Sequence, residues 1–240
     1  MNIIGKGGYG TIYTTENPRL VQKYHLREDG SCDSLYKEFA MQRIAYEATK
    51  NNPIYAVPKP RKWVLGKDGC SFIMDRIYSP DGGNLSWHLY LSEEPNFDNI
   101  ISENGGFIRG RYLGIQSLLN NIPDINVSNI VYYAGLLMGD VQYGSMQTAV
   151  DTELIIGSYY DPKIVGYAQD QNLFLIDYDQ SNPWHIDDPP YENLVWALEA
   201  EPYWPYPGSP FYAYFEKGYL ESATKHGLAH VAEKVLDERG

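Results

Sequence analysis

The sequence predicts an α+β protein of two lobes, a small antiparallel-sheet lobe over residues 1–78 and a helical lobe over residues 79–240. Three observations carry that expectation. Short β-branched and aromatic runs separated by turn residues fill the first lobe. A long apolar stripe at helical spacing dominates the second, and an early glycine run leads into a strand and not into a helix.

Gly5-Lys6-Gly7-Gly8-Tyr9-Gly10 is a full Gly-x-Gly-x-x-Gly, and Lys23 follows in Val21-Gln22-Lys23-Tyr24. Glycines let backbone N–H groups approach phosphates, and a strand lysine supplies a fixed charge beneath them, the layout of a protein-kinase small lobe. Gly5, Gly7, Gly10 and Lys23 are therefore candidate nucleotide- or substrate-binding residues. A dinucleotide-binding turn needs its glycines to open a helix. Here Thr11-Ile12-Tyr13-Thr14-Thr15 follows and reads as a strand. A glycine-rich hairpin without a ligand is the structural alternative.

Strands are expected over 2–4, 11–15 and 20–25. A helix follows from Ser34, which can cap it, through Leu35, Phe39, Arg43 and Tyr46. It carries Glu38, the expected ion-pair partner of Lys23, and ends at Asn51-Asn52-Pro53. Lys62-Trp63-Val64-Leu65 and Ser71-Phe72-Ile73-Met74 read as a hairpin about Gly66-Lys67-Asp68-Gly69. Met74-Asp75-Arg76-Ile77 is the expected crossing between lobes, and Ser79-Pro80-Asp81-Gly82-Gly83-Asn84 the boundary loop.

In the second lobe, Ile130, Tyr133, Ala134, Leu137 and Val141 mark a helix over 127–143. Two short apolar strands come next, each flanked by carboxylates. Asp151 and Glu153 precede Leu154-Ile155-Ile156, while Asp177 and Asp179 follow Leu173-Phe174-Leu175-Ile176. Alternation along an extended chain puts Asp151 and Glu153 on one side together. With Asp177 they are the candidate catalytic carboxylates. In a kinase-like frame Asp177 is also the candidate metal ligand, holding Mg²⁺ against the phosphates of ATP, and Asp179 is a second ligand or a turn residue. The structural alternative is a turn cap at Asp151, an arginine pair at Glu153 and solvated strand ends.

One kinase element is missing. Counting back from Glu153, which takes the place of the catalytic-loop Asn, the catalytic Asp position holds Thr148. A competing alignment uses Gly139-Asp140 through Ser145, resembling the loop of aminoglycoside phosphotransferases, with Asp140 as base and Ser145 as Mg²⁺ ligand. It conflicts with the place of Asp140 inside the helical pattern.

Composition is that of an ordinary globular chain. A formal net charge of −12 argues against a broad basic surface for nucleic acid. No run approaches the roughly 18 apolar residues of a membrane helix. Cys32 and Cys70 are too few for a disulfide framework or a cysteine zinc site, and a reducing cytosol is the simplest location. His226 and His230, four apart without a metalloprotease glutamate, read as a solvated helix face. Trp184, Trp196 and Trp204 read as loop packing or a pocket wall. Neither Ser145 nor Ser158 has a neighbouring base in sequence.

Arg111-Tyr112-Leu113-Gly114, Asp151-Thr152-Glu153-Leu154-Ile155-Ile156-Gly157, Leu175-Ile176-Asp177-Tyr178-Asp179 and Pro202-Tyr203-Trp204-Pro205 occur in that order. Phe215-Glu216-Lys217-Gly218-Tyr219-Leu220-Glu221-Ser222 closes the series. Over nearly the whole chain this resembles a fungal domain family catalogued as a zinc-finger-like domain of unknown function. The family looks like a divergent kinase fold, and its zinc label finds no ligands in this sequence. The resemblance extends to the arginine-containing cyclodipeptide synthases, which join arginine to a second amino acid drawn from aminoacyl-tRNA. It implies an acidic signature Asp-x-x-Asp-x-Glu, of which Asp151 and Glu153 are present while Thr148 stands at the first acidic position.

Three functions fit these residues. In one, Asp151 and Glu153 serve an acyl transfer, binding a guanidinium or taking a proton from an attacking amine. Its partner is then an arginine-bearing or aminoacyl-tRNA substrate. In the second, Lys23, Glu38 and Asp177 hold Mg-ATP for phosphoryl transfer. In the third, the fold is a binding scaffold without catalysis.

Overall fold

β-Branched and aromatic residues on both sides of the glycine run form a hairpin in the computed structural model, which describes residues 1–6, 10–25, 32–66, 69–83, 85–92, 110–159 and 172–240. β1 (Ile3–Lys6) and β2 (Gly10–Thr14) pair antiparallel, with Gly5 opposite Ile12. The glycines thus feed a strand, which removes the dinucleotide-turn alternative. Gly7 lies outside the described residues. β3 (Leu20–His25) pairs with β2, and the hairpin β5 (Pro60–Gly66) and β6 (Gly69–Asp75) joins through β6, giving the antiparallel order β1-β2-β3-β6-β5.

Helix α1 (Asp33–Thr49) buries Leu35, Glu38, Phe39, Gln42 and Ala45 at three- and four-residue spacing. Leu35 and Phe39 meet Cys70 and Phe72 of β6 in a small apolar cluster. The helix starts earlier than its capping pattern suggests. Cys32 takes the cap position, and Ser34, already helical, places its Oγ 2.9 Å from His25 Nε2. Cys32 and Cys70 form a disulfide with Cα atoms 5.8 Å apart, tying the start of α1 to β6. Two cysteines 38 positions apart in sequence give no local sign of this pairing, so a single bond forms where the sequence reads only as having too few for a disulfide framework.

The second part is less helical than its apolar stripe implies, because most of a second sheet is built from it, with two short strands added from residues 1–78. β10 (Glu153–Tyr159) is central, antiparallel to β11 (Asn172–Ile176), to β8 (Trp87–Tyr90) and to the short β7 (Ile77–Tyr78). β4 (Tyr55–Ala56) adds parallel to β11, and β9 (Arg111–Gly114) parallel to β8. Around this sheet stand α2 (Ile115–Asn121), α3 (Val127–Gly139), α4 (Tyr191–Glu199), α5 (Tyr212–Lys225) and α6 (Ala229–Arg239). The fold is therefore α+β, with mainly antiparallel sheets and six helices among the described residues.

Asn126 caps α3 by accepting from the Asn129 N–H at 3.0 Å. The buried stripe Val131, Ala134, Leu137 and Met138 then packs on α5 and its Phe215 and Tyr219. Truncating a core leucine such as Leu137 to alanine costs about 2–5 kcal/mol in such a setting. The helical path continues past α3 as a π-helical turn over Asp140–Gly144. No described helix is long and apolar enough to cross a membrane.

Candidate functional site

The β1–β2 hairpin, α1 and the ends of β8, β10 and β11 enclose a cleft of about 430 Å³. Gly5 and Gly10 line it from the hairpin, and Lys23 and Glu38 from β3 and α1. From the second sheet come Asp151, Glu153 and Asp177. Seven of the nine candidate residues thus converge. Gly7 is undescribed, and Asp179 does not line the cleft. Asp179 lies just behind it, its Oδ1 buried without a hydrogen-bond partner among the described residues. Burial first, then the negative charge of Asp177, pushes the Asp179 carboxyl up to about 6.

Lys23 is the hub. Its Nζ lies 2.6 Å from Glu38 Oε1 and 3.0 Å from Asp177 Oδ1, and its side chain is only 8% exposed. Burial disfavours the ammonium, yet the charges of Asp177 and Glu38 together outweigh it and hold the lysine firmly protonated. Glu38 is pushed up to about 7, because burial exceeds the help it receives from Lys23.

Asp151 and Glu153 reach the cleft by different routes, and not by strand alternation. Glu153 begins β10, whereas Asp151 lies in the preceding turn with φ 59°. Asp177 also takes a left-handed backbone, φ 62°. Such conformations cost non-glycine residues about 1–3 kcal/mol each and persist where the surroundings enforce them. Here a polar network does so. Gln147 Nε2 donates to the Met41 carbonyl in α1 at 3.0 Å, Ser181 Oγ donates to Gln147 Oε1 at 3.1 Å, and the Ala149 N–H donates to Ser181 Oγ at 3.2 Å. Thr148 belongs to this frame. It is buried, and its Oγ1 accepts from the Asn182 N–H at 3.1 Å. Asp151 itself accepts from Gln180 Nε2 at 2.5 Å.

Among the described residues Glu153 finds no arginine. Its Oε2 faces His88 Nδ1 at 3.4 Å, near enough for charge pairing and long for a hydrogen bond. Burial and then the negative charge of Asp177 push Glu153 up to about 8, with Asp151 and Glu201 adding to the effect against Lys23. Burial and Asp177 likewise raise Asp151.

His88 and the wall around it escape a linear reading. His88 stacks on Tyr112 with ring centroids 4.8 Å apart, and Tyr90 meets Tyr203 edge-on at 5.2 Å. All four line the cleft, as do Ser86 and Glu201. Ser86-Trp87-His88 was the available signal, a serine and a histidine two apart on one side of a strand. Tyrosines form the wall; Trp204 is buried in the core and Trp196 is half exposed on α4.

Asp140 is elsewhere. It is buried in the π-helical turn, accepting from Ser222 Oγ at 2.7 Å and Tyr55 OH at 2.8 Å, with His226 Nε2 at 2.9 Å and Lys225 Nζ at 3.2 Å. Ser145 Oγ donates to the Val141 carbonyl. The alignment making these two a base and a metal ligand is thereby overturned, and His226 serves this carboxylate instead of a purely solvated face.

Among the described residues, no three His, Cys, Asp or Glu side chains converge to hold a metal ion. Asp177, the candidate ligand, is engaged with Lys23. No family model matches the chain, and no match to it was found among curated proteins.

Proposed function

We propose that this protein is a two-lobed, kinase-like transferase acting on a cationic, arginine-bearing aminoacyl substrate, in the manner of the arginine-containing cyclodipeptide synthases it resembles. The sheet order β1-β2-β3-β6-β5 with α1 alongside, and the Lys23–Glu38 pair, support the kinase-like part. One observation carries the substrate. Glu153, Asp151 and Glu201 share one partly buried cleft with Asp177, and burial first, then their mutual repulsion, raises the proton affinity of Glu153 and Asp151. Lys23 is already engaged by Glu38 and Asp177. A guanidinium relieves that repulsion and finds planar carboxylate acceptors, with the faces of Tyr90 and Tyr203 beside it.

In the reaction, the α-amine of one aminoacyl group attacks the ester carbonyl of the other. A C–N bond forms, the C–O bond to the ribose breaks, and the ribose hydroxyl leaves with a proton. A second such attack closes the ring. The proton lost by the attacking amine passes to a base lining the cleft, where Glu153 and its neighbour His88 stand. Expression of the protein followed by mass spectrometry is expected to reveal arginine-containing diketopiperazines. A folded protein that yields none, and whose melting is unmoved by arginine methyl ester, overturns the reading.

The Lys23–Glu38 geometry favours a second reading, ATP-dependent phosphoryl transfer. Gly5, Gly10 and Lys23 are the residues that would meet the phosphates. The carboxylates do not form a ready Mg²⁺ site, so no metal-dependent step is derived. Melting with and without Mg-ATP tests it, and a large upward shift selects this reading.

A further inference from the structure

Ser86, His88 and Glu153 stand in line along the cleft wall. Ser86 Oγ lies 2.7 Å from His88 Nε2, and His88 Nδ1 lies 3.4 Å from Glu153 Oε2. The sheet register produces this line. His88 pairs with Ile155 across β8 and β10, so Glu153, two residues before Ile155 on the same face, is its diagonal neighbour. Ser86, two residues before His88, lies on that face as well.

The imidazole has little freedom. Tyr112 stacks on one side at 4.8 Å. At the Cδ2–Nε2 edge, Gly110 comes so close that a Cβ there would sit 2.3 Å from His88 Cδ2 and 2.4 Å from Nε2. Only glycine permits this approach. The ring is buried at 4% exposure, whereas Ser86 is half-buried at the cleft. A buried base thus presents one nitrogen to an accessible hydroxyl and the other to a carboxylate.

We infer that Ser86 is a covalent nucleophile, His88 its general base, and Glu153 the positioning carboxylate of a Ser–His–Glu relay. This is the connectivity that activates serine in unrelated acyl-transfer folds. With the proton of the ring on Nδ1, facing Glu153, Nε2 accepts the hydroxyl proton as Ser86 Oγ attacks an ester carbonyl. The new Ser86 ester forms, the old C–O bond breaks, and His88 returns the proton to the departing hydroxyl. An incoming amine then attacks the Ser86 ester. The C–N bond forms, Ser86 Oγ leaves with a proton from His88, and the amine proton passes to His88. The identity of the acyl group rests on the aminoacyl reading above; the relay rests on the three side chains alone.

A fluorophosphonate probe tests the relay without any natural substrate. Ser86 Oγ attacks phosphorus, fluoride leaves, and His88 takes the proton. Peptide mass spectrometry is expected to place the single adduct on Ser86 and to find none in Ser86→Ala. His88→Gln is expected to slow labelling by about 10²–10⁴-fold. Glu153→Gln is expected to slow it less and to shift the pH at which labelling is half-maximal, which a purely structural role would not do. Should His88→Gln unfold, Ser86→Ala and Glu153→Gln still decide the matter. A folded wild type that is unlabelled, or labelled elsewhere, overturns the relay. Diketopiperazine production by Ser86→Ala at the wild-type rate overturns the covalent step. Labelling of Ser86 without any diketopiperazine upholds the relay and refutes the aminoacyl reading.

Discussion

Lys23 Nζ and Glu38 Oε1 meet at 2.6 Å, bridging β3 and α1 inside the cleft. Asp177 reaches the same ammonium at 3.0 Å, so the lysine ties the first sheet and α1 to the end of β11. Removing Lys23 strands two carboxylates, whereas removing the Glu38 charge leaves the lysine still paired. Lys23→Met is therefore expected to cost about 3–5 kcal/mol in urea unfolding, and Glu38→Gln distinctly less. The reverse order would show that Asp177 does not hold the lysine.

Asp151→Asn and Glu153→Gln are expected to abolish diketopiperazine formation while leaving the fold intact. Asparagine tolerates the left-handed backbone of Asp151, so the substitution removes charge and keeps the turn. Full activity in both variants with unchanged melting would remove these carboxylates from the mechanism.

Stability is expected to fall as pH rises between about 5 and about 8. Glu153 and Glu38 are held up to about 8 and about 7, so in this window the folded protein retains protons that the unfolded chain has released. Glu153→Gln removes one such group. It should raise the melting temperature near pH 8 and flatten the slope, by about 2–4 °C for each kcal/mol involved. A melting temperature that climbs with pH in the wild type contradicts the assignment.

Asp140 carries the opposite sign. Burial alone would push its carboxyl up, but hydrogen bonds from Ser222, His226 and Tyr55, with the Lys225 charge, outweigh that and hold it below the usual range. Its stabilisation is present above the ordinary carboxylate value and is lost as pH falls through its depressed one. Asp140→Asn is expected to destabilise by about 2–3 kcal/mol while the folded fraction keeps its activity, because Asp140 does not line the cleft. Loss of activity in the folded variant would return Asp140 to the list of catalytic candidates.

The Cys32–Cys70 bond closes a loop with a sequence separation of 38, so its loss frees much of the first sheet and α1 in the unfolded chain. Reduction, or Cys32→Ser, is expected to cost about 2–4 kcal/mol by thermal melting. Alkylation before and after reduction counts the free thiols and checks the bond directly.

Much of the first sheet was legible because its causes are local. Glycines before Thr11-Ile12-Tyr13 specify a hairpin, and the spacing of Leu35, Glu38 and Phe39 specifies the helix face that carries Glu38 to Lys23, although Arg43, read on the same stripe, is exposed. The apolar strands before Asp177 and after Glu153 were legible for the same reason. β8 and β9 were not, because Trp87–Tyr90 and Arg111–Gly114 are four residues each and carry no period long enough to read.

What the sequence by itself determined is therefore the class of fold and most of the cleft's charged residues, since backbone preference and side-chain period act over a few neighbours. Tertiary structure alone decided which residues face one another. The sheet register sets His88 diagonal to Glu153, the turn at Asp151 aims its carboxylate inward, and burial in the π-helical turn keeps Asp140 out of the cleft. These outcomes depend on pairings between residues tens of positions apart, where a shift of one residue in register would turn every side chain to the opposite face.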